Sequence, residues 1–377
     1  MEAYLNLGPP GTPRALLLGG EALLGGSLEI LWFDSLGAKS SSICIRGANC
    51  VILVDPGAAE MQPSYPLPKS EKSRLRREAA LKIRACLEES EVVIITHYHW
   101  DHAPRPGGDI LVPSLLRGKL VLAKNPNIYI NESQWKRARK LYAELGCPTE
   151  EPPGEPGEIP DPLAELPIAS SRRFPGYDSR RAELLSRGRS WFKGLWRKWW
   201  SSPWISEGAC SGGTRIRWID SESVEVCGVH LRFTPPWFHG VEFDRTGWVV
   251  GFEASLPQGR LFYSSDVMGP IIEDYAEYIA GLRPDVLVLD GPPTYLYPYM
   301  FNRINLERAV DNGVLIVESG VGNIIYDHHL LREARWRERV RRVLEAAAKS
   351  PARLATAAEY LGRRPLIDEL AGAGRHG

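Results

Sequence analysis

The 377-residue sequence has no excess of charge of either sign, because 46 basic and 46 acidic side chains cancel. A neutral total produces no global field that would attract nucleic acid or an anionic membrane, so any such affinity must come from a local patch. Long apolar runs are also scarce near the N-terminus, where the run LLL at 16–18 is short and follows no basic leader. We therefore expect no signal peptide, no transmembrane segment and a cytoplasmic location.

Paired cysteine motifs are missing as well. The six cysteines, at positions 44, 50, 86, 147, 210 and 227, occur singly and form no CxxC pair. This spacing argues against a thiolate zinc ribbon and against a thioredoxin-type motif. We expect buried or idle thiols in a reducing cytoplasm. A bridge between Cys44 and Cys50 is conceivable but has no support in the sequence.

The hydrophobic patterns predict strands that first come in groups and then alternate with helices. Helical spacing occurs at 70–90, 133–146, 273–281, 303–312 and 328–349. Apolar or alternating runs predict strands within 27–55 and at EVVIIT (91–96), within 214–266, and at DVLVLD (285–290) and VLIVES (314–319). This order favours an α/β fold in which two sheets pack face to face with helices outside, a four-layer sandwich. We expect a single domain over 1–377.

A dense histidine motif, THYHWDHAP (96–104), follows the predicted strand EVVIIT directly. Polar ligands at the carboxyl end of a strand are where α/β proteins place their sites. In an extended segment His97, His99 and Asp101 can point the same way, while a turn at 100–102 would redirect the last two residues. The motif can therefore offer two imidazoles to one ion, and a carboxylate together with His102 to a second. A solvent-exposed histidine turn is the alternative, but the pattern favours metal.

HYHWDH resembles the HxHxDH signature of the metallo-β-lactamase superfamily, whose members are hydrolases with a paired-sheet αβ/βα sandwich and usually two metal ions. The resemblance implies further site residues in VILVDPG, PPWFHG, LFYSSDVMG and IIYDHHLLR. It implies that Asp55 supports the site, that His239 binds an ion and that Asp266 bridges two ions. The last histidine is His328 or His329, and His329 is favoured because an apolar residue follows it.

The resemblance thus implies two divalent ions, with zinc preferred and iron or manganese as alternatives. The ligands of one ion would be His97, His99 and His239, and those of the second Asp101, His102 and either His328 or His329. Asp101 is the catalytic candidate, because it would orient the attacking water and move its proton. His328, if it is not a ligand, could donate a proton to the leaving group. Asp290 either anchors a histidine from behind, lines the pocket or simply ends a strand.

Two further runs, DVLVLDGPPTYL (285–296) and DHHLLR (327–332), resemble an uncharacterised archaeal family of metal-dependent hydrolases within that superfamily. The 136 residues between His102 and His239 are many for a compact member. A Pro-, Trp- and Arg-rich insertion at about 148–212 would account for them. The resemblance supplies a reaction type but no substrate.

The insertion contains a basic aromatic block, SRGRSWFKGLWRKWWSSPW (186–204). It could stack bases and neutralise phosphates of a nucleic acid, or lie on a membrane surface. It could also bury its tryptophans against the sandwich as a lid, which is the interpretation we favour.

These observations predict a metal-dependent hydrolase of an unidentified substrate. That substrate is either a phosphodiester or nucleic acid, or an ester, thioester or lactone. The alternative is a non-catalytic nucleic-acid-binding protein with structural metals.

Overall fold

A computed structural model describes residues 23–373 of the chain. The N-terminal leucine run, on which the expectation about a signal peptide depends, lies outside these residues. No helix within the described range is both long and apolar enough to cross a membrane.

The first of two large sheets comes mostly from the N-terminal half of the chain. Its order is β1-β2-β3-β4-β5-β9-β8, with β3, β4, β5 and β9 parallel. The strands are β1 (Leu28–Phe33), β2 (Ser41–Arg46), β3 (Val51–Val54), β4 (Val92–Ile95), β5 (Leu120–Ala123), β8 (Gly208–Ala209) and β9 (Arg215–Trp218).

The second sheet has the order β10-β11-β14-β15-β16-β17-β18, and its last four strands are parallel. They are β10 (Ser223–Val226), β11 (Val229–Phe233), β14 (Phe252–Leu256), β15 (Gly259–Tyr263), β16 (Val286–Asp290), β17 (Asn323–Asp327) and β18 (Arg353–Ala355). Two small antiparallel pairs join β6 (Thr149–Glu150) to β7 (Trp204–Ile205) and β12 (Trp237–Phe238) to β13 (Trp248–Val249).

Helices cover the outer faces of both sheets. They are α1 (Lys69–Glu89), α2 (Glu132–Glu144), α3 (Pro167–Ser171), α4 (Asp178–Trp200), α5 (Glu273–Leu282), α6 (Arg303–Glu318), α7 (Trp336–Arg339), α8 (Arg341–Ala347), α9 (Ala357–Tyr360) and α10 (Leu366–Ala373). Alternate residues of each strand point to opposite faces. Ile52 and Ile94 therefore pack between the sheets with Phe252 of the second sheet, while Leu53 faces Ile83 of α1. The predicted four-layer αβ/βα sandwich is confirmed.

Two element predictions in the C-terminal third are wrong. VLIVES is the last part of α6, and the strand between β16 and β18 is instead Asn323–Asp327. The segment 328–349 is a 3-10 turn followed by α7 and α8, not one long helix. The periodicity of a short apolar run fits both a strand and a buried helix, so the position of the run in the folded protein determines which of them forms.

The expectation of idle thiols is wrong for four of the six cysteines. Cys50 is bonded to Cys227, and Cys147 to Cys210, across sequence separations of 177 and 63 residues. Cys44 does not pair with Cys50; it is free and buried beside Cys86. Such distant partners meet only in the folded chain, so cysteine spacing could not reveal them.

The basic aromatic block buries one face and exposes the other. Phe192, Leu195 and Trp199 are buried on one side of α4, and Trp191 stacks on Trp248 with ring centroids 5.6 Å apart. Several of the block's cations pair with nearby acids: Arg187 with Glu183, Arg189 with Asp161, and Lys198 with Glu132. The tryptophans therefore act as packing residues, as the lid interpretation expects.

Candidate metal centre

The predicted site residues converge where the strands of both sheets end. Asp55 follows β3 and His97 follows β4, while Asp266, Asp290 and His328 lie just after or at the end of β15, β16 and β17. Because parallel strands finish at the same edge of a sheet, residues from distant parts of the sequence meet there.

The motif turn also contacts the backbone that follows β3. A Cβ atom added at Gly57 would lie 2.3 Å from the backbone nitrogen of His102 and 2.4 Å from the carbonyl carbon of Asp101. Only glycine permits this approach, so the DPG turn and the histidine turn are packed backbone to backbone.

The Asp266 carboxylate lies at the middle of the cluster. Its Oδ2 is 3.4 Å from His97 Nε2, 3.2 Å from His102 Nε2, and 3.3 Å from Nε2 of both His239 and His328. One carboxylate oxygen thus faces four imidazoles that come from four separate segments.

Four overlapping groups of these residues could each hold an ion. The first group contains His97, His99 and His239 with Asp266, and the second contains Asp101, His102 and His328. These two groups share no residue, whereas Asp55, His97 and His102 form a third group that overlaps both. Within each group the nitrogen atoms are close: His97 Nε2 is 3.1 Å from His99 Nδ1, and His102 Nε2 is 3.2 Å from His328 Nε2. Ligands about 2.0–2.2 Å from a tetrahedral zinc ion would be about 3.4 Å apart, so these spacings fit a small cation in each group.

Unpartnered polar atoms support the same fit. Both ring nitrogens of His239 and Oδ1 of Asp266 are buried without a hydrogen-bond partner among the described residues. Leaving buried polar groups unpaired is costly unless another ligand satisfies them. A set of imidazole nitrogens and carboxylate oxygens is suited to zinc, iron or manganese.

Carboxylates contact two of the imidazoles from the side away from the cluster. Nδ1 of His102 is 2.9 Å from Asp55 Oδ2, and Nδ1 of His329 is 2.9 Å from Asp290 Oδ1. Asp55 also accepts hydrogen bonds from the Thr96 amide and hydroxyl. Such contacts fix the orientation of a ring whose other nitrogen faces the centre. Asp55 therefore lies where the resemblance implied, and Asp290 contacts a histidine, one of the three options that the sequence left open.

Of the two adjacent histidines, the geometry favours His328 over His329, the reverse of the sequence-based preference. His328 is the one grouped with Asp101 and His102, and its Nδ1 is 3.0 Å from Asp34 Oδ1. His329 faces Asp290 and approaches the cluster only from the Asp266 side. The φ of His328 is 60°, a left-handed backbone conformation that is uncommon for residues other than glycine.

Burial and neighbouring charges divide the imidazoles into two kinds. Burial and the charge of His102 lower the pKa of His97 to about 4, and burial lowers the pKa of His99 well below its usual value. Burial also opposes protonation of His102, but the charges of Asp266 and Asp55 outweigh it and raise its pKa to about 10. Against the same burial, Asp34 and Asp266 raise the pKa of His328. The imidazoles of His102 and His328 therefore hold a proton more tightly than those of His97 and His99.

Two residues of the centre were missed by the sequence reasoning. Asp34 follows β1 in LWFDSLG and contacts His328, and Arg332 donates to Asp34 while its Nη2 lies 3.6 Å from Asp101 Oδ2. An aspartate directly after an apolar strand was the available signal for Asp34, as it was for Asp55. Arg332 had no comparable signal, because it is one arginine in an Arg-rich segment.

Residues 37–103 match the family model described as the metallo-beta-lactamase superfamily. Over these residues the chain is similar to the metallo-beta-lactamase superfamily. The matched part contains Asp55 and the histidine motif, whereas His239, Asp266 and His328 lie outside it.

The chain is also similar along most of its length to archaeal UPF0282 proteins. It is 29% identical over 355 residues to the one from Methanopyrus kandleri, covering 91% of this chain and 98% of the relative. It is 29% identical over 344 residues to that of Aeropyrum pernix, covering 90% and 94%. The uncharacterised archaeal family predicted from the sequence is thereby supported.

Solved structures of the superfamily are more distant. Bacillus subtilis YhfI, a metallo-beta-lactamase fold protein, shares 10% identity with a TM-score of 0.41 and covers 88% of this chain and 95% of its own. Zn(2+)-bound PqqB from Methylobacterium extorquens shares 12% identity with a TM-score of 0.33, covering 84% and 85%. Likenesses this weak say nothing about chemistry.

Proposed function

We propose that the protein is a metal-dependent hydrolase that activates water between two divalent cations. The observation that carries this proposal is the position of Asp266, whose Oδ2 lies 3.2–3.4 Å from four imidazole nitrogens of two separate groups. A carboxylate at the junction of two ligand sets is suited to bridging two ions.

In this proposal one ion is held by His97, His99 and His239, and the other by Asp101, His102 and His328, with Asp266 between them. Cations bound there would lower the pKa of a water molecule towards neutrality and polarise the scissile carbonyl or phosphoryl oxygen. Zinc fits the donor set best, and iron or manganese would also be accepted. Asp55, Asp34 and Asp290 would orient His102, His328 and His329.

We assign Asp101 the role of orienting the attacking water and moving its proton. Its side chain is about one-seventh exposed, at 14%, so it borders the space that a substrate can enter. The neighbouring charges of His102, His328 and Arg332 outweigh the effect of burial and hold its pKa well below the usual value. An ionised carboxylate accepts a hydrogen bond from water, as this role requires. His329 then remains free of the second ion's ligand set and is available to contact the substrate or leaving group.

The substrate class within this proposal is a phosphodiester or an ester, thioester or lactone. We also propose that the chain is a single domain in which about 148–212 is an insertion, and that the protein works in the cytoplasm. The insertion is closed at its base by the Cys147–Cys210 disulfide and covers the His239 loop through Trp248 and Phe243.

Metal analysis and a substrate panel test the proposal together. We expect purified protein to bind about two zinc, iron or manganese ions per chain, and Asp266→Ala to lose most of them. His230→Ala is the matched control, because His230 is an exposed histidine of β11. The panel contains bis-p-nitrophenyl phosphate, lactones, thioesters and short RNA, each assayed with wild type and Asp266→Ala.

Turnover that Asp266→Ala abolishes and His230→Ala retains would support the proposal. Wild-type protein without bound metal, and with a stability that chelator leaves unchanged, would refute it. Bound metal without any turnover, together with salt-sensitive RNA binding that survives Asp101→Ala, would indicate the non-catalytic alternative instead.

A further inference from the structure

Lys39 lies in the wall of the metal centre. Its backbone pairs with Ala59 through two hydrogen bonds of 2.9 Å, beyond the DPG turn that contacts the histidine motif. The next residue, Ser40, donates its amide to Asp34 Oδ1, and its carbonyl oxygen lies 3.1 Å from His328 Nδ1. The charges that act on the Lys39 ammonium are those of Arg332, Asp101 and Asp34.

The Lys39 ammonium differs from the other shielded lysines by having no acceptor among residues 23–373. Each other buried or half-buried lysine in that range donates to an oxygen. Lys72 donates to two backbone carbonyls, Lys82 to Ile30, Lys119 to Ser90, and Lys124 and Lys198 to the carboxylates of Asp220 and Glu132. The Lys39 side chain is half-buried, but its Nζ is not among the buried atoms that lack a partner, so it is open to water and to an anionic ligand.

Burial lowers the pKa of the Lys39 ammonium, and the charge of Arg332 lowers it further. Arg332 is buried, and its guanidinium contacts Asp34, Asp101 and the Tyr295 hydroxyl. Asp34 is already shared between Arg332 and His328, so it does not neutralise Lys39 as well. On the other flank of Asp101, Arg137 lies over the Trp100 ring at 5.3 Å and has no acid partner within the described residues. Arg332 therefore lies 3.6 Å from Asp101, and the charge of Asp101 also acts on Lys39 and on Arg137.

We propose that Lys39, with Arg332 behind it, binds an anionic phosphoryl group of the substrate next to Asp101. This inference rests on the proposed function and narrows it to phosphate esters. A phosphoryl oxygen can accept a charge-assisted hydrogen bond from the Lys39 ammonium, while Arg332, already paired with Asp34, adds positive charge behind it. A neutral lactone or carboxylic ester supplies no charge to compensate the ammonium. Lys39 is then a specificity-determining residue, and it reaches the substrate without belonging to either ligand group.

Equilibrium binding of inorganic phosphate tests the proposal by calorimetry, on metal-loaded and on chelator-treated protein. We expect Lys39→Met to weaken phosphate binding roughly tenfold to a hundredfold, the range for losing a charge-assisted hydrogen bond. Lys39→Arg keeps the charge and should retain affinity within a few fold. Lys193→Met, an exposed lysine of α4, should bind phosphate like wild type.

Metal content and thermal unfolding are measured on every variant, and acetate serves as a second probe. Equal phosphate affinity of Lys39→Met and wild type overturns the proposal. Acetate that binds as tightly as phosphate with the same dependence on Lys39 overturns the phosphoryl assignment in favour of a carboxylate. Wild type that lacks metal refutes the proposed function, yet the chelator-treated series still reports whether phosphate binding depends on Lys39.

Discussion

At the scale of single residues, two carboxylates orient histidines of the candidate metal centre from outside the ligand groups. Asp55 and Asp34 both follow a strand of the first sheet, and each contacts the far nitrogen of one histidine. Asp55 was predictable because its motif and the histidine motif follow neighbouring parallel strands. Asp34 has the same local signal, but its contact with His328 was not predictable, because that histidine is 294 residues away in the sequence. The spacing of residues within a motif therefore indicates the candidate metal ligands. The carboxylates that orient those ligands from distant parts of the sequence are seen only in the folded chain.

Replacing Asp34 should separate the two proposed ion sites. Asp34→Asn removes the charge that faces His328 and Arg332, so we expect metal affinity of the second site to fall about 10–100-fold while the first site is retained. Competition with a chromophoric chelator measures the two affinities. Asp311→Asn, a half-exposed aspartate of α6, is the control and should change neither. An equal loss at both sites, or no loss at all, would contradict the assignment of His328.

At the scale of elements, the strands that deliver site residues were the easiest to predict. EVVIIT and DVLVLD are bounded apolar runs that end in charged or histidine-containing turns, and both are strands in the structure. VLIVES has the same appearance but belongs to α6, where Ile316 and Val317 face the core and Val314 and Leu315 are only half-buried. The sequence patterns do not predict the strand NIIYD, which directly precedes the two histidines. Whether such an apolar run forms a strand or part of a helix depends on tertiary packing, which a single sequence does not display.

Helix α4 offers a matched pair of glycines that tests its packing on the His239 loop. A Cβ at Gly188 would lie 2.5 Å from Phe243 Cβ, whereas a Cβ at Gly194 would meet nothing within 4 Å. We expect Gly188→Ala to destabilise the protein by about 1–3 kcal/mol through overpacking. Gly194→Ala should stabilise it by about 0.5–1 kcal/mol through helix propensity.

Denaturant unfolding measures the change in unfolding free energy for each variant. We expect a loss of stability for Gly188→Ala and a gain for Gly194→Ala. If both substitutions stabilise the protein to the same extent, α4 is not packed against Phe243 as described.

At the scale of the whole molecule, the Cys50–Cys227 disulfide joins the two sheets at the edge opposite the metal centre. Cys50 precedes β3, whose other end carries Asp55, and Cys227 lies in the turn between β10 and β11. The four-layer order was predictable from the alternation of elements, whereas this cross-link was not. It closes a loop that contains the whole histidine motif.

Removing that cross-link should lower stability without removing metal. We expect the double variant Cys50→Ser, Cys227→Ser to lose roughly 2–5 kcal/mol of unfolding free energy, since the closed loop is long. The Cys147–Cys210 disulfide closes a shorter loop, so the double variant Cys147→Ser, Cys210→Ser should lose less unfolding free energy. Denaturant titration and metal analysis are performed on both. Loss of metal in the first variant, or a larger stability loss in the second, would contradict this expectation.

The nested disulfides also determine what happens when the backbone is cut. The stretch 150–158 is mostly exposed and rich in proline, glycine and glutamate, and it lies inside both closed loops. Hydrolysis of one peptide bond there would leave the two fragments covalently joined. His97, His99, Asp101 and His102 would stay on one fragment, and His239, Asp266 and His328 on the other. A nicked molecule would thus keep both halves of its metal centre tethered, and would separate into two pieces only after reduction.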